Sequence, residues 1–148
     1  MSREAGIAAL GYFPMPQHLM APVCTYLRRA HSGGQTHILD TCAGEGKALL
    51  TLQDHLGADT VARAVELHAE RAAQCTSLLG REMVVCADAL TGVEIAPDAF
   101  GLLWLNPPYH VGQFELEFLM AHTPLLCSSG VLCLVVPRPA LRVLAEYL

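Results

Sequence analysis

The chain has 148 residues, of which 53% are hydrophobic and 16% are charged, and its formal net charge is −5. This composition excludes a disordered chain, because the apolar fraction is large enough to build the core of one domain. It also argues against a basic surface that holds nucleic acid by neutralising phosphates, since only nine Lys and Arg residues are present. Three of these are expected on helices away from any ligand site: Arg28, Arg29 and Arg71.

Strand and helix patterns alternate along the sequence after a helical N-terminal lead-in, which we assign to residues 1–34. The apolar periods predict a helix at 17–30, then strands at 36–40, 60–67, 83–87, 100–105 and 130–136, with helices at 47–56, 69–79 and about 113–122 between them and one after Pro139. Such alternation requires parallel pairing with right-handed crossovers. We therefore predict a single α/β domain over residues 1–148. It is a Rossmann-like three-layer sandwich whose mostly parallel sheet has five strands in the order 3-2-1-4-5, with helices on both faces.

A glycine-bearing turn follows the first predicted strand, which ends at Asp40. Gly44 and Gly46 allow positive φ and close approach to the backbone, and the start of the next helix presents unpaired N–H groups. Glu66 ends the second strand, twenty residues after Gly46, where nucleotide-binding βαβ units place a carboxylate on the ribose hydroxyls. A dinucleotide fingerprint has Gly or Ala where this chain has Leu49, which argues against a bound pyrophosphate.

The tetrapeptide Asn106-Pro107-Pro108-Tyr109 follows the apolar run 100–105 and stands at the carboxyl end of a strand, where open α/β sheets bind ligands. The prolines end the strand and remove two N–H donors, but they keep their carbonyl acceptors. The Asn106 oxygen and the Pro107 carbonyl could accept the two N–H bonds of an amino group on a planar substrate, and Tyr109 could stack on its face. The alternative is a plain end of the strand with a packed tyrosine.

Several segments together resemble the successive motifs of class I S-adenosylmethionine-dependent methyltransferases, over about residues 11–137. They are residues 40–46, Glu66, Asp88 and the tetrapeptide at 106–109, and the branch they resemble methylates amino groups, as N6-adenine DNA methylases do. Residues 11–16 are similar to the N-terminal motif of adenine methylases, with Met15 where a Thr is expected.

The resemblance implies S-adenosyl-L-methionine as the cofactor. The glycine turn and Asp40 would hold its methionine part, Glu66 its ribose hydroxyls and Asp88 its adenine amino group, although Glu66 could be a solvated strand end and Asp88 a turn cap. The cofactor-binding residues implied are Tyr12, Pro14, Asp40, Cys42, Ala43, Gly44, Gly46, Glu66, Leu67, Asp88, Ala89 and Asn106. The catalytic residues implied are Asn106, Pro107, Pro108 and Tyr109.

The resemblance also implies methyl transfer to an exocyclic amino group, with adenine N6 of DNA as the first substrate. Methylation of an RNA base or of a protein glutamine stays as an alternative, and so does a cofactor-binding subunit without activity. The family adds two strands after the fifth, whereas this chain stops at Leu148, so we expect a C-terminally incomplete core. A missing region or a partner would then supply contacts to DNA, and the uncovered edge of the fifth strand could self-associate.

The remaining signals concern location and metals. No segment predicts a signal peptide or a membrane span, so we expect a cytoplasmic protein without membrane contacts. Six cysteines are dispersed without a C-x-x-C pair, which is typical of buried thiols in a reducing compartment. The seven histidines are dispersed too, and we predict no metal site.

Overall fold

A parallel sheet organises the structure, a computed structural model that describes residues 12–29, 34–109 and 113–147. Its five strands are β1 (Thr36–Asp40), β2 (Thr60–Glu66), β3 (Val84–Cys86), β4 (Phe100–Leu105) and β5 (Leu126–Leu134). They lie in the order β3-β2-β1-β4-β5, and all pairings between them are parallel. The predicted topology is therefore confirmed.

Helices alternate with the strands in the predicted places. They are α1 (Gln17–Cys24), α2 (Lys47–Leu56), α3 (Ala69–Leu79), α4 (Gln113–His122) and α5 (Ala140–Leu144), with short 3₁₀ turns at Arg81–Met83 and Thr123–Leu125. None of the helices in the described ranges is long and apolar enough to cross a membrane. Parts of the predicted lead-in, residues 1–11 and 30–33, lie outside the described residues.

Two apolar layers pack on opposite faces of the sheet, because successive residues of a strand point to opposite sides. Ile38 of β1 and Trp104 of β4 are buried in a cluster that includes residues of α1, α2 and α3. Leu39 and Leu103 are buried on the other face, where residues of β5 continue into the cluster formed by α4 and α5. The predicted three-layer arrangement, with helices on both faces, follows from these contacts.

The first helix is shorter than predicted, since α1 ends at Cys24 instead of residue 30. Pro22 has no N–H to continue the helical ladder, and the Thr25 hydroxyl donates to the Pro22 carbonyl at 2.7 Å. The N–H groups of Thr25, Tyr26 and Leu27 each bond the carbonyl three residues back, so the chain leaves the helix in tight turns. Pro22 therefore ends the helix earlier than the apolar pattern predicts.

The fifth strand begins earlier than predicted, at Leu126 instead of residue 130. Leu126 pairs with Phe100, but the next pair along the ladder is Val131 with Leu102, so β5 bulges between them. Ser129 has a φ of +68° inside this bulge. Regular pairing over residues 131–134 is the part that the apolar run predicted. Strands β2 and β3 also differ from prediction, by one residue at the end of β2 and at each end of β3.

Candidate cofactor and substrate site

The carboxyl ends of the strands bring most of the predicted residues to one edge of the sheet. A cleft of about 250 Å³ opens there, and its lining includes Tyr12, Cys42, Glu66, Leu67, Asp88, Ala89, Asn106 and Pro108. An adjoining pocket of about 40 Å³ is lined by Pro14, Asp40 and Ala43, and it shares Tyr12, Cys42 and Asn106 with the cleft. Four predicted residues line neither cavity: Gly44 and Gly46 shape the turn, Pro107 is buried, and Tyr109 lies beside the cleft.

The turn between β1 and α2 requires glycine at two positions. Gly44 and Gly46 have φ values of +57° and +83°, which side chains disfavour. A Cβ on Gly44 would lie 2.6 Å from the Tyr12 ring, and one on Gly46 would lie 2.7 Å from Cys75 Sγ. The sequence analysis expected a ligand close to this backbone. In the structure, the group that approaches Gly44 is the ring of Tyr12.

Asp40, at the end of β1, is a carboxyl group in a dry position, with 2% of its surface exposed. Burial raises its pKa from the ordinary 3.8 to about 7, and the charge of Glu66 acts in the same direction. The Cys42 N–H, which donates to Asp40 Oδ1 at 2.8 Å, opposes the rise. Near neutral pH the group is therefore poised between its two forms, and a bound cation would favour the ionised one.

Cys42 lies between the two cavities and lines both. Burial is the main cause that raises the pKa of its thiol well above the ordinary value, and the charges of Asp40 and Glu66 add to it. The group is therefore a neutral thiol that serves as an apolar wall, since nucleophilic cysteine chemistry requires the thiolate.

Glu66 is engaged on both oxygens. Its Oε1 accepts from the His68 N–H at 2.8 Å and from Arg71 Nε and Nη2 at 3.0 and 2.8 Å, and its Oε2 accepts from the Gly44 N–H at 2.8 Å. The Arg71 guanidinium also lies over the Tyr12 ring, 4.5 Å from its centroid. The expectation that Arg71 lies away from the ligand site is therefore wrong. A carboxylate oxygen has two lone pairs, so Oε2 can accept one further donor.

The far end of the cleft combines an apolar surface with a carboxyl group. Leu67 is 68% exposed although it directly follows β2, and Ala89 and Leu90 line the cleft as well. Asp88 Oδ1 accepts from the N–H groups of Leu90 and Thr91 at 2.8 and 3.3 Å, as a turn cap does. Its Oδ2 has no hydrogen-bond partner in the described part of the chain, so the cap leaves one oxygen for another donor.

Asn106 lies at the junction of the two cavities and is bonded at both ends of its amide. Its Nδ2 donates to the Phe13 carbonyl at 2.7 Å, and its Oδ1 accepts from the Tyr109 hydroxyl at 2.8 Å. The Tyr109 ring stacks on Phe13, with 5.1 Å between centroids and 14° between planes. The Tyr109 face expected to stack on a substrate thus contacts Phe13 of the N-terminal segment, and the Asn106 oxygen expected to accept from a substrate accepts from Tyr109.

Comparison with known proteins identifies the family. The sequence matches the model of an uncharacterised methyltransferase family, DUF6094, over residues 3–144. The chain belongs to this methyltransferase family. No curated protein has significant sequence similarity to it.

Solved structures similar to this chain include S-adenosylmethionine-dependent methyltransferases. One from Geobacter sulfurreducens, in complex with S-adenosyl-L-homocysteine, has a TM-score of 0.62 at 15% identity, covering 89% of this chain and 54% of that one. A protein from Corynebacterium glutamicum has a TM-score of 0.65 at 19% identity, covering 97% and 76%. A geranyl diphosphate methyltransferase, in complex with GPP and sinefungin, has a TM-score of 0.63 at 13% identity, and the match covers 87% of this chain and 58% of that one.

These likenesses show the fold, and the methyl acceptor is a separate matter. The chain spans about half the length of the Geobacter methyltransferase. Among the described residues, no group of three or more His, Cys, Asp or Glu side chains is placed to hold a metal ion.

Three residues of the candidate site were not predicted from the sequence. Phe13 stacks on Tyr109, Arg71 pairs with Glu66, and Thr41 lines the cleft with a buried hydroxyl that has no hydrogen-bond partner in the described chain. Phe13 and Thr41 lie inside segments that the sequence did indicate. Arg71 lies in the first turn of α3, which places it next to the end of β2, and that position was the available signal.

Proposed function

We propose that this chain binds S-adenosyl-L-methionine and transfers its methyl group to an exocyclic amino group, with adenine N6 of DNA as the first candidate. One observation carries the proposal: Asn106 lines both the small pocket that contains Asp40 and the cleft that contains Glu66 and Asp88. An amide at that junction stands where a methyl donor and an acceptor amine would meet.

The cavities suit the cofactor in shape and chemistry. Asp40 is a buried carboxyl whose raised pKa would be relieved by the ammonium group of the methionine part, which places that part in the small pocket. Glu66 Oε2 has room for a ribose hydroxyl, and Asp88 Oδ2 for the adenine amino group. The exposed Leu67 and the adjacent Ala89 would cover the faces of the adenine ring. When bound, the cofactor supplies an electrophilic methyl group on a sulfonium.

The side chains at 106–109 prepare the amine. The lone pair of an aromatic amine is delocalised into its ring, and acceptors for its N–H bonds favour a pyramidal nitrogen with an available lone pair. Asn106 Oδ1 can serve, because the Tyr109 hydroxyl occupies only one of its two lone pairs. Pro107 is buried, so the Asn106 oxygen is the acceptor that the structure supports for the amine. No strong base is needed, since the product loses its proton readily.

The acceptor would reach the site with help from elsewhere. The chain carries a net charge of −5, which does not favour a phosphate backbone. A region or partner beyond the described residues would therefore hold the DNA, and a base within a duplex would have to be extruded into the cleft.

Self-association is a further proposal: β5 is the edge strand of the described sheet, and Val131 on it is half-exposed. Unpaired cysteines support a reducing compartment such as the cytoplasm.

A parallel assay tests the proposal. Labelled S-adenosyl-L-methionine is offered with DNA, RNA and protein acceptors, and the Asn106→Ala variant is the control. Label in DNA adenine supports the first candidate, whereas label in an RNA base or in protein glutamine selects those alternatives. Cofactor binding with no transfer to any of these acceptors, nor to free adenosine at high concentration, which needs no contacts to a phosphate backbone, would favour a non-catalytic subunit. That candidate has an observation of its own, because Asn106 and Tyr109 are occupied by contacts within the chain.

A further inference from the structure

Two aromatic rings face each other at the acceptor end of the cleft. The Phe13 and Tyr109 rings are nearly parallel, at 14°, and their centroids are 5.1 Å apart. Phe13 also lines the cleft and is 45% exposed. An exposed aromatic face in contact with a second ring offers a surface for a third flat group.

A single side chain positions both walls. Asn106 holds Tyr109 through the tyrosine hydroxyl at 2.8 Å and holds the backbone of Phe13 through its carbonyl at 2.7 Å. Tyr109 also follows two prolines, so its loop is stiff. In these bonds Phe13 is held only through its backbone carbonyl, and its half-exposed ring is held by the stack on Tyr109 alone among the contacts described.

We propose that Phe13 is the second wall of the acceptor site and that a planar conjugated amine binds between Phe13 and Tyr109. This rests on the proposed amino-methylation. Two van der Waals layers of about 3.5 Å require about 7 Å between the outer rings. The two rings now stack directly on each other, with a single such layer between their planes, so they must separate by about one further layer, roughly 3.5 Å, and the half-exposed Phe13 ring is the one that moves.

The inference favours one class of acceptor. A nucleobase is wide enough to contact both rings with its two faces, whereas the side-chain amide of a glutamine covers only part of one ring. Both walls lie beside Asn106, so an amine held between them places its N–H bonds next to the Asn106 oxygen. The site is thereby built for an aromatic amine.

The test uses variants of Phe13 in steady-state methyl transfer to an adenine-containing oligonucleotide. Base stacking on one aromatic side chain corresponds to roughly 5- to 150-fold in affinity. Phe13→Ala is expected to raise KM for the oligonucleotide by about tenfold or more, with a smaller change in kcat. Phe13→Leu keeps apolar volume but loses the flat face, so it should behave like the Ala variant, whereas Phe13→Tyr should rescue KM. The matched control is Tyr26→Ala, which removes an aromatic ring that is 87% exposed and lines neither cavity of the site.

A binding readout separates this inference from the proposed function. The fluorescence of 2-aminopurine riboside falls when its base stacks, and it is measured with S-adenosyl-L-homocysteine present. Quenching by the wild-type chain that is lost in Phe13→Ala and kept in Phe13→Tyr supports the inference, even if no acceptor is methylated and the proposed function fails. Absence of quenching by the wild-type chain would overturn it. An unchanged or lowered KM in Phe13→Ala would overturn it too, the latter by showing that Phe13 blocks the site.

Discussion

Replacing the buried Asp40 by asparagine changes the electrostatics of the site without changing its shape. The fold raises the pKa of this carboxyl from 3.8 to about 7. At about 1.36 kcal/mol for each pH unit, keeping the group ionised within the folded chain costs about 4 kcal/mol. Since asparagine carries no charge, the substitution removes this cost.

The sign of the pH effect follows from proton uptake. Because the folded pKa is the higher one, the folded chain binds more protons than the unfolded chain between about pH 4 and pH 7. The contribution of Asp40 to the free energy of unfolding is therefore most favourable below about pH 4, decreases as the pH rises to about 7, and stays constant above it. Ionised Asp40 therefore lowers the free energy of unfolding of the wild-type chain at pH 8 but not at pH 4.

The amide oxygen of the introduced asparagine can still accept the Cys42 N–H, but its NH2 group loses water at a cost of about 1–3 kcal/mol. We therefore expect Asp40→Asn to raise the free energy of unfolding at pH 8 by about 2 kcal/mol, or the melting temperature by about 4–8 °C. At pH 4 the variant should gain nothing. The same variant should lose affinity for S-adenosyl-L-methionine, since the ammonium group of the ligand loses its anionic partner.

Thermal unfolding followed by circular dichroism at pH 4 and pH 8, with and without cofactor, checks all three points. Asp54→Asn is the matched control, because Asp54 is an exposed carboxylate on α2. The reasoning is refuted if Asp40→Asn is no more stable than the wild-type chain at pH 8, or if its advantage is the same at both pH values.

Three further expectations follow from the site. Glu66→Gln should weaken cofactor binding by about tenfold in calorimetry, with Glu70→Gln as an exposed control, and equal binding by the Glu66→Gln variant would contradict the ribose assignment. Glu66→Ala should also lower the free energy of unfolding by about 3 kcal/mol, because it leaves Arg71 unpaired. Asn106→Ala should leave cofactor affinity nearly unchanged and reduce turnover about a hundredfold. Normal turnover would show that the tetrapeptide only ends the strand and has no catalytic role. The isolated chain should bind duplex DNA weakly in gel shifts, and tight, salt-sensitive binding would show that it needs no partner for that step.

Much of the architecture could be predicted because its determinants are local. Strands β1 and β2 each end in a carboxylate after mostly apolar residues, and this pattern predicted Asp40 and Glu66 at the edge of the sheet. The bulge in β5 could not be predicted, because it depends on how Leu126 and Val131 register with a strand far earlier in the chain.

The internal contacts of the site depended on distances that the sequence does not contain. Glu66 and Asn106 were selected as groups for ligands, but their present partners come from α3 and from the N-terminal segment. Phe13 lies in a segment that the sequence indicated and Arg71 lies shortly after β2, but the sequence does not show which groups these two side chains contact. Their importance arises only after folding brings them to the same edge.

A closed ring of contacts joins the N-terminal segment to the cleft, and it consists of Tyr12, Gly44, Glu66 and Arg71. Tyr12 packs on Gly44, the Gly44 N–H donates to Glu66, Glu66 pairs with Arg71, and Arg71 lies over Tyr12. A ligand hydroxyl that donates to Glu66 Oε2 would bind a carboxylate whose other oxygen holds Arg71, and Arg71 lies over Tyr12 of the N-terminal segment. By thermodynamic reciprocity, if a shift of Tyr12 changes ligand affinity by some factor, ligand binding changes the equilibrium of that shift by the same factor. A macromolecule that binds residues 12–16 would therefore change the affinity of the site for the cofactor without entering either cavity.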